Sequence, residues 1–373
     1  MIDAAELTPL TTRRRVRDTM TTLFVPGRLC LFGEHSDWAG AVRSVDPSIV
    51  AGTCIVAGTD QGITATAVPA ADFAMTSRLP DGRAVGPVCF PMDGPALRDA
   101  AGAGDFFSYA AGVAAVVWTR YRPPGVHITV THVTLPMRRG LSSSAAICVL
   151  VARAFNQVHR LGLSVRDEMD IAFCGEVDAG SQCGRMDQAC AFGKRPVLLR
   201  FDGDAMDVEV LQPRRALHLL VVDLARDKDT RRILSALHRH FLLPESRCGR
   251  ALRDALGRRN QDLVGQARAA LEAGDAQQLG ALMSVAQRIF DADVAPACAT
   301  ELTAPGLHAV LTHPAARDFA WGGKGVGSQG DGAAQFVCRG APERAALAER
   351  LTAQCGVHCL PLTIEPVRRD ISV

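Results

Sequence analysis

Four short stretches of this sequence bring together residue types that can do chemistry. Pro26-Gly27-Arg28-Leu29-Cys30-Leu31-Phe32-Gly33-Glu34-His35-Ser36-Asp37-Trp38 ends an apolar run in a glycine turn that presents Glu34, His35 and Asp37 together. Carboxylates and an imidazole on one turn suit recognition of neighbouring hydroxyls. A polar β-turn with solvated charges is the bland alternative. A metal site is disfavoured, because adjacent residues do not easily converge on one ion.

In Pro136-Met137-Arg138-Arg139-Gly140-Leu141-Ser142-Ser143-Ser144-Ala145-Ala146, a glycine and three serines open onto an apolar run. A helix start offers unpaired N–H groups and partial positive charge, so anions sit there readily. A serine hydroxyl there is also a potential Mg²⁺ ligand. Ordinary N-capping needs one serine; three, with Arg138 and Arg139, point to phosphate.

The segment from Glu176 through Asp178, Gly180, Gly184, Arg185 and Met186 to Asp187-Gln188 places acids around a glycine turn. One acid could hold a metal ion and another act as base toward a hydroxyl; a pair of surface acids is the alternative. Trp321-Gly322-Gly323-Lys324-Gly325-Val326-Gly327-Ser328-Gln329-Gly330-Asp331-Gly332 contains GxGxxG, but no strand is evident running into it. Gly325 after Lys324 excludes a Walker A loop. Its glycines allow close backbone approach, to a ligand or to another loop.

The elements that must position these segments follow from local pattern. Leu23–Val25, Leu29–Phe32, Ile49–Val56 and Ile63–Val68 read as strands separated by Gly and Pro, and 69–104 as a loop-heavy excursion. Phe106–Arg120 is an expected buried helix and Val126–Thr134 a strand. Leu141–Arg160 is the strongest helix, apolar all round over Ala145–Ala152. Helix resumes at Val165–Cys174; Val197–Phe201, Asp207–Leu211 and Leu217–Leu224 are strands. Arg231–Phe241, Ser246–Glu272 and Asp275–Arg288 are expected helices. A β-rich half thus precedes a helix-rich one, which gives an α+β chain with two domains, 20–210 and 211–373.

With 373 residues and 48% apolar content, two cores can be filled and general disorder is excluded. A formal charge of +2 leaves no footprint for nucleic acid. Only Lys194, Lys228 and Lys324 are lysines among 41 basic residues. No apolar run is long enough to span a bilayer, and no signal core follows Arg13, Arg14 and Arg15, so a cytoplasmic location without membrane contact is expected. The 12 cysteines are scattered without a CxxC pair and read as reduced, mostly buried thiols.

In this order the segments resemble the GHMP kinase superfamily, which takes in galactokinase, homoserine kinase, mevalonate kinase and phosphomevalonate kinase. The galactokinase-type sugar 1-kinases are the nearest likeness. PGRLCLFGEHSDW is similar to the galactokinase signature PGRxNLxGEHxDY, GLSSSAA is the superfamily's phosphate-binding motif, and CGRMDQ resembles its CGxMDQ segment; the likeness covers roughly residues 20–340. Departures are Trp38 for tyrosine, Arg138 and Arg139 before Gly140, and Gln329 and Asp331 in the glycine loop.

The resemblance implies an N-terminal domain with a left-handed βαβ crossover and a ferredoxin-like C-terminal domain. Gly140, Leu141, Ser142, Ser143 and Ser144 would cradle the phosphates of ATP, and Ser144 and Glu176 would ligand Mg²⁺. Asp187 would be the catalytic base, with Arg28 keeping it ionised and offsetting charge on the phosphoryl group. Glu34, His35 and Asp37 would hold sugar hydroxyls. The implied reaction moves the γ-phosphate of ATP to the anomeric hydroxyl of galactose or a related sugar or uronic acid, with Arg185 or Arg43 available to a carboxylate. The same chemistry on a cyclitol, an amino sugar or another small alcohol is the second reading, and a non-catalytic sugar and ATP sensor the third. A monomer or weak homodimer is expected.

Overall fold

The computed structural model describes residues 20–79, 81–136, 140–226 and 228–366. The two strands expected before Gly33 are one, β1 (Thr21–Phe32), bulged between Pro26 and Arg28. The pair at 49–68 likewise forms one strand of 19 residues, β2 (Gly52–Ala70). The glycines that read as breaks are points of close approach instead. A Cβ at Gly62 would overlap the Phe24 ring, and one at Gly58 would overlap the Gly193 carbonyl.

The stretch 69–104 is not loop-heavy. It holds β3 (Phe73–Arg78), β4 (Ala84–Phe90) and helix α2 (Gly94–Gly102), following the short α1 (Ser36–Ala41). Alternating burial along β3 and an Asp93 cap on Ala96 N, 2.8 Å, supply the order that its Pro and Gly content masks. Helix α3 (Ser108–Tyr121), β5 (Gly125–Val133), α4 (Ser143–His159) and α5 (Val165–Asp178) follow, then β6 (Val197–Asp202) and β7 (Ala205–Val210). These strands make a seven-stranded sheet in which β1 lies along one edge of β2, and β5 and β6 share the other. β3 and β5 are parallel neighbours joined through β4, α2 and α3.

The second sheet is antiparallel in the order β11 (His358–Ile364), β8 (Leu217–Asp223), β10 (Ala333–Cys338), β9 (Ala320–Gly325). Between β8 and β9 run α6 (Thr230–Phe241), α7 (Arg247–Leu256), α8 (Arg258–Ala273), α9 (Ala276–Ile289) and the short α10 (Ala299–Leu302), α11 (Pro305–Leu311) and α12 (Pro314–Phe319); α13 (Ala341–Cys355) precedes β11. The helix expected over 246–272 is broken at Gly257, whose backbone no longer continues the helix. α+β architecture with two sheets is therefore what the chain adopts.

Strand alternation divides the packing. Leu217, Leu219 and Val221 of β8 join a core shared with the first sheet and with Leu263, Ala267, Leu279 and Met283 of α8 and α9. Leu220 and Val222 face a second core with Leu307, Phe336, Leu347 and Leu351. A third cluster gathers Ala39, Ile233, Leu237, Phe241, Leu252, Phe290 and Val294 around α1. All 12 cysteines are free thiols.

Candidate active site

The charges of the first motif are not solvated. Glu34, His35 and Asp37 are 8%, 5% and 8% exposed at the corner where β1 turns into α1. Gly33 and His35 both take left-handed backbone there (φ 86° and 70°), and a Cβ at Gly33 would strike the Thr53 carbonyl. The three side chains reach different partners, which is why they make no common metal site. Glu34 forms a buried ion pair with Lys324. Asp37 accepts from the Trp38 N–H at 2.9 Å, and a Cβ at Gly184 would overlap its carboxylate. Burial pushes the Asp37 carboxyl above its usual range, against bonds from the Trp38 and Met186 backbones and the charge of Arg28.

His35 Nδ1 accepts from Trp38 Nε1 at 3.1 Å. An indole nitrogen only donates, so the imidazole proton is assigned to Nε2, which is buried and has no partner. Burial pulls the His35 pKa down to about 3, with Lys228, His238 and Lys324 adding repulsion, so the ring is neutral. Trp38 is clamped in turn by His238 and Phe241, with ring centroids 4.2 and 5.3 Å away.

The second motif lies beside the first. The Arg28 N–H donates to the Leu141 carbonyl at 3.0 Å, tying the bulge of β1 to the serine loop. Gly140 and Ser142 have φ of 74° and 54°, and α4 begins with no side-chain cap. Ordinary capping by serine is therefore not what these hydroxyls do, and the first N–H groups of α4 stay available to an anion. Arg138 and Arg139 lie outside the described residues.

Arg28, 6% exposed, places Nη2 on Asp187 Oδ1, while its Nε and Nη1 are buried without a partner. Asp187 opens the 3₁₀ turn Asp187–Phe192 and is less enclosed. Glu176, 1% exposed near the end of α5, accepts from Gln188 Nε2 at 2.8 Å and from Ser181 Oγ at 3.4 Å. Its charge acts on Cys148, one helical turn beyond Ser144, which sets the carboxylate against the first turns of α4. Among the described residues, no group of three or more His, Cys, Asp or Glu converges as a metal cage. A hydroxyl and one carboxylate beside the serine loop nevertheless fit Mg²⁺, which commonly arrives with substrate phosphates and keeps several waters.

A strand does run into the third motif: β9 ends at Gly325, its glycines having hidden it from propensity. Gly327 packs against Gly140, so the glycine loop and the serine loop face each other. Asp331 is neutralised by Arg226 at 3.2 Å and accepts from Leu307 N at 2.8 Å. Lys228 Nζ donates to the Gln329 carbonyl at 2.7 Å. Arg43 and Arg185 are engaged elsewhere, Arg43 with Asp202 at 2.5 Å and Arg185 with the Asp204 carbonyl at 2.7 Å.

Ion pairs, hydrogen bonds and mutual charge effects thus place these residues in one region with two ends. Arg28, Asp187 and the serine loop form one end; Glu34, His35 and Lys324 form the other, with Asp37 between them within reach of the Arg28 charge. Sequence reasoning missed Trp38 as the holder of His35, Gly184 as the space for Asp37, and Lys228. Lys228 carried a signal as one of three lysines in an arginine-rich chain, and Trp38 one as a departure from tyrosine.

Comparison with known proteins agrees with this arrangement. The GHMP kinases N terminal domain family matches residues 108–194, from α3 through the serine loop to Lys194. A mevalonate kinase of Aeropyrum pernix is 29% identical over 171 residues, 44% of this chain and 48% of that protein, so the matched part spans about half of the relative. Among solved structures, L. major mevalonate kinase in complex with R-mevalonate superposes with a TM-score of 0.69 at 18% identity, covering 94% of this chain and 97% of that one. Lactococcus lactis galactokinase complexed with galactose gives 0.70 at 16% identity, covering 93% of each. At such identities these two structures establish the shared fold.

Proposed function

We propose that this chain, which belongs to the GHMP kinase superfamily, is an ATP-dependent kinase that phosphorylates a hydroxyl of a small polar acceptor, and that the acceptor is a free monosaccharide or its uronic acid taken at the anomeric oxygen. The observation that carries this reading is Arg28. It is buried, holds Asp187 with one nitrogen, keeps two other nitrogens unpartnered, and is bonded through its backbone to the serine loop. A guanidinium held that way is a ready receptor for a phosphoryl group between nucleotide and acceptor.

In this reading Asp187 accepts the proton of the acceptor hydroxyl, and Arg28 orients it and offsets charge on the group in transfer. Backbone N–H groups of Gly140–Ser144 receive the phosphates of ATP. Ser144 and Glu176 would hold Mg²⁺, which neutralises phosphate charge when bound. Glu34, His35 and Asp37 orient the acceptor, with His35 acting as a neutral donor through Nε2. The choice of a sugar rests on the likeness of the first motif and on three buried polar side chains suited to vicinal hydroxyls.

The test is ATP consumption over a panel of monosaccharides, uronic acids, amino sugars and cyclitols, with phosphorus NMR of the product. Asp187→Ala is expected to lose on the order of 10²–10⁴ in kcat, with nucleotide binding retained. Turnover of one acceptor at full rate by Asp187→Ala would remove the base assigned here. Absence of turnover with every acceptor, despite ATP binding, would overturn the kinase.

A further inference from the structure

The acceptor end of this region carries two lysines, of which only one is in an ion pair with a described residue. Two of the chain's three lysines, Lys228 and Lys324, come to this place from different elements. Glu34 is the carboxylate that both act on, and its direct ion pair is with Lys324. Lys228 donates only to a neutral group, the Gln329 carbonyl, and among the described residues no carboxylate lies at ion-pair distance from it.

The described charges nearest it in sequence are occupied elsewhere. Arg226 pairs with Asp331, Asp229 caps Arg232 N at 2.9 Å, and Asp223 accepts from Ala225 N at 2.8 Å. The ammonium is held firmly by packing against the glycine loop, where a Cβ at Gly332 would stand 2.8 Å from Nζ. Burial depresses the Lys228 pKa to about 8, which leaves it mostly charged at neutral pH.

A second donor points to the same ligand chemistry. His35 Nε2–H is buried and unpartnered, and Lys228 is the strongest charge acting on that ring. Two donors, one of them a cation with no ion-pair partner among the described residues, describe a receptor for an anion, since a buried charge left without a counter-charge is costly. Hydroxyls alone would leave the ammonium unmatched.

We propose that the acceptor carries a carboxylate, and that Lys228 Nζ and His35 Nε2–H receive it. This rests on the kinase reading only for the word acceptor; the anion site itself stands on the placement of Lys228, Lys324, Glu34 and His35. Lysine serves better than arginine here, because a compact ammonium beside Gly330 and Gly332 suits one oxygen in a narrow space.

The experiment is calorimetric binding of matched pairs, galacturonate with galactose and glucuronate with glucose, together with R-mevalonate, to the full-length protein, Lys228→Met and Lys228→Arg. AMPPNP binding and ATP turnover are measured alongside. At least one carboxylated probe is expected to bind wild type ten times or more tightly than its neutral partner. Lys228→Met should weaken that probe about 30-fold, or about 2 kcal/mol, with Lys228→Arg recovering part of the loss.

Carboxylate binding lost in the variant without any ATP turnover would support the anion site and sink the kinase. Turnover of a neutral sugar only, unaffected by Lys228→Met, would support the kinase and overturn the anion site. Weakened AMPPNP binding with unchanged acceptor binding would move Lys228 to the nucleotide phosphates and overturn it too, as would no binding of any carboxylated probe. The wild-type preference within each pair remains decisive even if Lys228→Met fails to fold.

Discussion

The indole N–H of Trp38 donates to Nδ1 of His35 across 3.1 Å, and this bond decides which nitrogen of the imidazole is left for a ligand. Trp38→Phe keeps an aromatic ring between His238 and Phe241 but removes the donor. Acceptor KM is expected to rise up to about tenfold, the worth of one hydrogen bond, while KM for ATP stays within twofold. Nitrogen-15 NMR should show His35 as a fixed Nε2–H tautomer in wild type and as a tautomer mixture in the variant.

The neutrality of His35 also ties stability to pH. With a folded pKa of about 3 against an ordinary 6.5, the folded state binds fewer protons than the unfolded state between those values. Stability from this group is therefore present above about pH 6.5 and is lost as pH falls toward 3. At pH 5 the loss is about 2 kcal/mol relative to pH 8. Asp37, whose carboxyl is raised by burial, acts in the opposite sense above the ordinary aspartate value, within the same pH range. The comparison that isolates His35 is urea unfolding of wild type and His35→Gln at both pH values; equal pH slopes for the two proteins would contradict the assignment.

Gly184→Ala tests the space reserved for Asp37. Its new Cβ overlaps the Asp37 carboxylate, so either Asp37 or the turn before Asp187 must move. Because a misplacement of about 1 Å costs up to 10²-fold, kcat/KM for the acceptor should fall by about that factor. AMPPNP affinity, measured by calorimetry, should remain.

Glu176→Gln keeps the volume beside Gln188 and removes the charge. The Mg²⁺ concentration for half-maximal rate at saturating ATP should rise about 10–100-fold, the range expected when a metal site loses a supporting group. An unchanged Mg²⁺ curve would free Glu176 from that role.

Much of this was legible from residue types, and the failures have physical causes. The apolar run of α4, the alternation of β5 and the length of α6 set their elements, because pattern and burial agree there. β9 escaped because Trp321-Gly322-Gly323-Lys324-Gly325 has almost no strand propensity; its place comes from pairing with β10. β2 escaped because Gly58 and Gly62 look like turns locally and are required by neighbours distant in sequence. The residues of the first two motifs could be named, but not their burial or their partners. That Glu34 meets Lys324 and Arg28 meets Asp187 depends on contacts across 290 and 159 positions. Trp38 was visible only as a departure from tyrosine; its use as a donor to His35 required the corner at α1.

The face of β8 that carries Leu217, Leu219 and Val221 shares its core with the first sheet, and α8 and α9 insert Leu263, Ala267, Leu279 and Met283 into the same core. A chain cut near residue 215 would thus strip its front half of the covering that shields its strands from water. Separately expressed halves should each be insoluble, yet restore one another when co-expressed. Exchange of specificity between such enzymes by swapping the whole second half would fail for the same reason. The cluster of Ile233, Leu237, Phe241 and Leu252 around α1 is the smaller unit that could be transplanted, since it borders Trp38 and His35 without bearing the main core.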